Sequence, residues 1–479
     1  MPPPAPVGSP DRLWLLQRAT LALALMVGFY ILALTASAAL LWVAYAMFAD
    51  LNPQTAPLFP LCLAGALSIL WSIVPRPDRF VPPGPRLDPA REPELFGLLQ
   101  ELATATSQAM PTDVYIVTAP MAFVAQRGGV MGFGGHRVMA LGLPLMHVLS
   151  VQEFKAMVVH EFGHFHAGDV ALGPWTHKTR AAIDRTSFVP YARLFLRVTR
   201  AVSRRQELIA DELAARVAGA DAVISGLRKM LTAQAAFDGY WNGELGPIFG
   251  SGVRPPVNAG FARYLESPAV GAGVDVFLDH QKALPTRSYD THPSLADRTA
   301  ALAGFASPAN GDERCAACLL SQAAELEDRV LATVSLDLAA LKRVEWEQVA
   351  EVACMPIWRN RVKAHGHLLG RCTMATIPVA RADLLRIGSS LFPAQASLPD
   401  DLHIGRAWQL VVGAIGVALE PLGWKPHLSP GTEVTFARNG HALRPWSELN
   451  AMTNGSCTRA EWCSRCAELG IDEVSLGIL

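Results

Sequence analysis

The side chains best suited to chemistry stand in the run His160-Glu161-Phe162-Gly163-His164. On an α-helix, positions i and i+4 share one face, so both imidazoles can meet one metal ion. The glutamate beside the first histidine can then take a proton from a water at that ion. The pattern suits zinc, which in catalytic sites takes three protein ligands and keeps one position open. The expected chemistry is hydrolysis, with Glu161 as general base and one Zn2+ as cofactor.

The third ligand must come from elsewhere in the chain. In SRRQELIADELAARVAG (residues 203–219), Glu207 and Asp211 are again one helical turn apart. Glu207 is the candidate ligand. Asp211 is spaced to accept the free N–H of a ligating histidine, which fixes its tautomer and raises its basicity. Taken alone, the pair reads as an ordinary acidic helix face; beside His160 and His164 the ligand reading is preferred.

These residues need elements to hold them. Ser150 and Glu153 form a capping-box pattern, and Phe154, Met157, Val158 and Phe162 then recur at helical spacing. The preceding stretch GGVMGFGGHRVMALGLPLM reads as a glycine-rich loop and a strand. Arg137, Val138, Met139, Ala140 and Leu141 are expected to form a sheet edge beside the metal helix, where a substrate backbone could pair. The alternative for this segment is a buried structural strand.

Of the 479 residues 51% are hydrophobic and mean hydropathy is +0.24, so membrane segments are expected. No charge falls between Arg18 and Asp50, and Leu21 to Phe48 exceeds the roughly 20 residues that cross a bilayer. Pro57 to Val74 is a shorter second candidate. The two spans are expected at about 19–49 and 57–75. The first is too long for a signal peptide and runs on past Ala36-Ser37-Ala38. Arg12 and Arg18 precede the spans, Arg76, Arg79, Arg86 and Arg91 follow them, and the link between holds neither Lys nor Arg. This asymmetry puts both ends and the bulk of the chain in the cytoplasm. The stretch PRPDRFVPPGPRLDPAREP (residues 75–93) reads as a stiff linker. With 41 basic and 42 acidic residues, no nucleic-acid partner is expected.

His160–His164, then Glu207-Leu-Ile-Ala-Asp211, then THPSLADR at Thr291–Arg298 resemble the HtpX and CAAX prenyl protease group of zinc peptidases, the gluzincins, over roughly residues 88–302. The paired N-terminal spans resemble the HtpX arrangement. The resemblance implies that His160, His164 and Glu207 hold the metal, that Glu161 is the base and that Asp211 supports a ligand. It also puts His292 near the substrate backbone or the oxyanion and gives Arg298 a structural or site-ordering role. Locally, His292 also reads as a helix-start residue, because Pro293 favours a first turn and Ser294 with Asp297 resembles a cap. Two departures stand out. Met121-Ala122-Phe123 replaces an Asn-Ala-Phe found in many members, which removes one supporting amide. In SFVPYARLFLRVTRAVSRR (residues 187–205), Arg193, Arg197, Arg200 and Arg204 exclude a simple span. A basic helix at the membrane surface and a solvated helix face are the two readings.

The expected fold is α+β and mainly helical. Residues 1–80 form a transmembrane helical hairpin. Residues 81–302 form a zincin-like metallopeptidase domain with a small edge-strand sheet. Residues 303–479 form a helical accessory region with a β-hairpin turning at Asn439-Gly440. The expected function is that of a membrane-anchored zinc endopeptidase, multi-pass in a bacterial inner membrane with its catalytic domain cytoplasmic. It would act on polypeptides, membrane proteins among them, in quality control or processing, with the lipid bilayer as a partner. The alternative is a non-catalytic, zinc-containing binding or chaperone-like protein, against which the intact Glu161 weighs. Cys315/Cys318 and Cys463/Cys466 read as small apolar fillers or, alternatively, as a second structural zinc site.

Overall fold

A computed structural model describes residues 9–50, 57–74, 80–128, 135–166, 169–186, 188–308, 310–391 and 399–477. The link between the proposed spans, the start of the proline-rich stretch and the tip of the glycine-rich loop lie outside the described residues. The chain is mainly helical with small sheets. It divides into two compact units. The first comprises Met1–Ala235 with Asp275–Thr333, and the second Ala236–Val274 with Val334–Leu479.

The first unit begins with α1 (Ser9–Asp50) and α2 (Leu58–Ile73). Phe48 meets Phe59, and Leu40 lies against Gly65, so α2 runs back along α1. Next come α3 (Pro93–Ala105), β1 (Asp113–Val117), β2 (Ala122–Arg127), β3 (His136–Gly142) and α4 (Leu143–Val148). They are followed by α5 (Val151–His166), α6 (Asp169–Thr186) and α7 (Val189–Ala218). α1 and α2 share a core with α6 and α7 through Met26, Phe29, Ile73, Ile183 and Phe195. Arg185 at the end of α6 donates to the Ser72 carbonyl at 2.6 and 3.0 Å, so a cation caps the C-terminus of α2. The arginine-rich segment is the first half of α7, which continues unbroken through Glu207 and Asp211.

The strand order is β1-β3-β2. This corrects the expectation that residues 137–141 form the sheet edge. β3 lies in the middle, parallel to β1 and antiparallel to β2, with Met139 opposite both Val114 and Val124. Val138 to Gly142 are all buried, as befits a central strand covered on both faces. The edge strand is β2. On the far side of β1, Leu87 donates to the Val114 carbonyl and Ile116 to the Pro85 carbonyl. That part of the proline-rich stretch docks on the sheet instead of acting as a free linker.

In the second unit the core is the helix Asp400–Leu419 packed among Met355–His365, Arg381–Leu391 and Arg459–Leu469. Asp400–Leu422 and Gln17–Ala49 are both long and apolar enough to cross a membrane, but 61% of the first is buried against 22% of the second. The former is a core helix by its surroundings. The strands Thr435–Arg438 and His441–Leu443 pair across Asn439 (φ 49°) and Gly440 (φ 80°), the two left-handed positions that a tight hairpin requires.

Candidate metal centre

α5 starts where the capping box lies. Ser150 N–H donates to Glu153 Oε2 (2.7 Å) and Glu153 N–H to Ser150 Oγ (3.2 Å), which satisfies amides that a helix start leaves free. The Glu153 carboxylate also takes Ser225 Oγ and Lys229 Nζ from outside the helix. Phe154, Met157, Val158 and Phe162 of α5 are buried, and α5 packs on α7. The two helices approach closely at Gly163, where a Cβ would lie 2.8 Å from Ala210 Cα. Only a glycine permits that distance without shifting a backbone.

This approach brings the acidic pair of α7 beneath the histidines of α5. Glu207 Oε2 lies 3.5 Å from His160 Nε2, and Glu207 Oε1 lies 3.7 Å from His164 Nε2. The two rings stand edge to face, with centroids 4.9 Å apart. Ligand atoms of His160, Glu161 and His164 all lie within 4.8 Å of one another. Glu161 sits at the rim, where its Oε2 accepts the Val124 N–H of β2 at 3.1 Å. Asp211 is fully buried, with Oδ1 2.9 Å from His160 Nδ1. A proton on Nδ1 donated to Asp211 leaves the Nε2 lone pair facing Glu207, the tautomer a metal requires.

Two residues from the Thr291–Arg298 motif join the cluster. Arg298 is buried and donates to Asp211 from Nε (2.7 Å) and Nη2 (2.6 Å). His292, with a side chain 62% exposed, places Nδ1 2.9 Å from Glu207 Oε1. Ser294 caps the following helix, Leu295–Ala301, by accepting from Asp297 N–H, so the local cap and the contact with Glu207 coexist. Arg204 of α7 holds the approach to this motif by donating to the carbonyls of Ser288 and Asp290.

Electrostatics follow from burial against pairing. Burial pulls the His160 imidazolium down, but the carboxylates of Asp211 and Glu207 outweigh it, and its pKa is raised to about 9. Burial pushes the Glu207 carboxyl up, while His160 and His292 together bring it well below the usual range. Asp211 behaves likewise, with Arg298 and His160 overcoming burial. These values describe the protein without a metal. A buried Glu207 Oε2 has no hydrogen-bond partner. Two imidazoles and a carboxylate with one buried oxygen lacking a hydrogen-bond partner fit a divalent cation of the zinc type.

The sequence reading missed two contributors. Val124 supplies a backbone N–H, which no residue type advertises. Gly163 lies inside the histidine motif, but its partner Ala210 becomes evident only when two helices meet. Arg137, expected at a sheet edge, lies on the central strand, stacks its guanidinium 3.9 Å over the Phe165 ring and donates to the Ala109 carbonyl.

Comparison with known proteins bears on the same segment. Residues 89–306 match the model of Peptidase family M48. Over 79 residues the chain is 34% identical to "Protease HtpX homolog 1" of Saccharolobus solfataricus, covering 16% of this chain and 24% of that protein. The chain therefore matches about a quarter of the length of that curated relative. No solved structure matches. The paired histidines and the buried carboxylates all lie within residues 89–306, the segment that matches Peptidase family M48 and in which the chain is similar to an HtpX-type protease.

Proposed function

We propose that this chain is a membrane-anchored, zinc-dependent endopeptidase of the zincin-like class. In this reading His160, His164 and Glu207 hold one zinc ion, which supplies Lewis acidity that polarises the scissile carbonyl and brings the pKa of a water toward neutrality. Glu161 takes the proton of the attacking water and delivers it to the leaving amine. Asp211 and Arg298 orient His160. His292 steadies Glu207 and donates to the oxygen that gains charge. The outer edge of β2 receives the substrate backbone as an added strand, because the Val124 N–H points away from β3 and toward Glu161.

The observation that carries the reading is the orphaned Glu207 Oε2, buried 3.5 Å from His160 Nε2. Anchoring is supported by α1, whose Ile31, Leu34, Trp42, Tyr45 and Phe48 are exposed. At 16 residues α2 is about 24 Å long, short of a bilayer core of about 30 Å. We assign it the second crossing because it lies along α1. Residues 1–80 serve as anchor, 81–302 carry hydrolysis and 303–479 are accessory. The arginine flanks favour a cytoplasmic catalytic part, and we infer membrane proteins as substrates in quality control or processing. The test is cleavage of casein by the purified chain with zinc content measured in parallel. Activity should vanish with a chelator and return with zinc. Glu161→Gln should keep its zinc and lose turnover. An active Glu161→Gln chain, or a wild-type chain that binds zinc without cleaving, refutes the assignment.

A further inference from the structure

The two Cys-x-x-Cys pairs of this chain sit in opposite surroundings. Cys463 and Cys466 belong to the helix Arg459–Leu469. Cys466 is fully buried, and burial pushes its thiol up to about 12. Such a thiol is poorly nucleophilic. Cys315 and Cys318, by contrast, are both exposed. Cys315 stands immediately before the 3-10 turn Ala316–Leu319, and the Cys318 N–H donates to its carbonyl at 3.0 Å. A turn closed from i to i+3 keeps the two Cα atoms within about 7 Å. A disulfide needs about 4.4–6.8 Å, so the backbone is already close to the required separation. The Arg314 guanidinium is near enough to Cys318 for their charges to interact.

We propose that Cys315 and Cys318 are a reversible dithiol–disulfide pair that exchanges with low-molecular-weight disulfides. One thiolate attacks a sulfur of the small disulfide, forms a mixed disulfide and releases one small thiolate. The second cysteine, having lost its proton to solvent, attacks the protein sulfur and releases the other. The two cysteines are oxidised to one S–S bond, and one small disulfide is reduced to two thiols.

The pair adjoins the start of the metal helix. Cys315 forms a β-bridge with Ser150, the residue that caps α5. The segment before it accepts the first amides of that helix, Val151 N–H at the Arg314 carbonyl (2.8 Å) and Gln152 N–H at the Asp312 carbonyl (3.0 Å). Ala316 N–H in turn donates to the Leu149 carbonyl (2.9 Å). The reduced Cys315 thiol donates to the carbonyls of Met146 and His147 at 3.4 Å. Oxidation removes that proton and exchanges those contacts for a covalent constraint on the turn. The redox state of the pair should therefore register in the first turn of α5.

The experiment incubates the reduced full-length chain with oxidised glutathione, quenches free thiols and maps every cysteine by mass spectrometry. Cys315–Cys318 should close with loss of two hydrogens, at least about tenfold faster than Cys463–Cys466, and reopen with reduced glutathione. Cys318→Ser should stop at a glutathione adduct on Cys315, and Cys315→Ser at one on Cys318. Amide exchange across residues 149–154 should slow about threefold on oxidation. Persistent thiols at both positions, glutathione on each without ring closure in the wild-type chain, or earlier closure of Cys463–Cys466 would overturn the redox assignment. Unchanged exchange across residues 149–154 in the oxidised chain would overturn its link to the metal helix.

Discussion

Arg298 holds Asp211 with two hydrogen bonds, 2.7 and 2.6 Å long, and the same carboxylate lies 2.9 Å from His160 Nδ1. All three side chains are buried. Removing one partner of such a buried pair leaves a charge without compensation and costs about 3–5 kcal/mol. Arg298→Met should lower unfolding stability by about that amount in a denaturant titration. Asp211→Asn keeps the shape but weakens orientation of the ligand, and should reduce zinc affinity about 10–100-fold in a chelator competition assay. Normal zinc affinity in Asp211→Asn would separate Asp211 from the metal site.

Gly163→Ala tests the helix contact. The added Cβ would stand 2.8 Å from Ala210 Cα and 2.9 Å from its Cβ, so α5 and α7 must move apart. Overpacking of this kind costs about 1–3 kcal/mol. Separation also lifts His160 and His164 from Glu207, so both stability and zinc content should fall. A fully loaded and stable variant would show that the helices tolerate the wider spacing.

The metal-free protein should respond to pH in a defined direction. The pKa of His160 is raised from 6.5 to about 9, so its contribution to stability is full below about pH 6.5 and fades as pH rises through about 9. Glu207 and Asp211 are lowered from 4.5 and 3.8, so their contribution is full above those values and is lost in acid. Thermal unfolding of the chelated chain should therefore be most favourable to the fold between about pH 4.5 and 6.5 with respect to these groups. Zinc competes with the His160 proton, so zinc affinity should climb between pH 6.5 and about 9 and binding should release protons, measurable by calorimetry in two buffers. An affinity that does not change across that interval would contradict the assignment of His160 as a ligand.

Val124→Pro distinguishes the edge strand from the middle one. Proline is tolerated at a strand edge whose N–H faces away from the ladder. The Val124 amide donates to Glu161 instead of β3, so the fold and zinc content should survive. Cleavage should drop about tenfold or more in kcat/KM, because Glu161 loses the amide that holds it and an added strand loses a donor on that edge. Unaltered kinetics would remove β2 from substrate binding.

The sequence alone determined the local features. A charge-free run defines α1, the Ser150–Glu153 pair starts α5, helical spacing puts His160 and His164 on one face, and Asn439-Gly440 turns a hairpin. Each is written in residues close together in the chain, where propensity, capping and period act directly. Tertiary structure decided the rest. That β3 lies between β1 and β2, and is no edge, depends on pairings between separate segments, which alternation of residue types cannot order. That Asp400–Leu419 is a core helix and α1 exposes its apolar side chains depends on what packs around each, because hydropathy measures only the residue itself. The 3.5 Å between His160 and Glu207 arises from Gly163 meeting Ala210, a contact between segments more than forty residues apart that exists only once both helices have folded and packed.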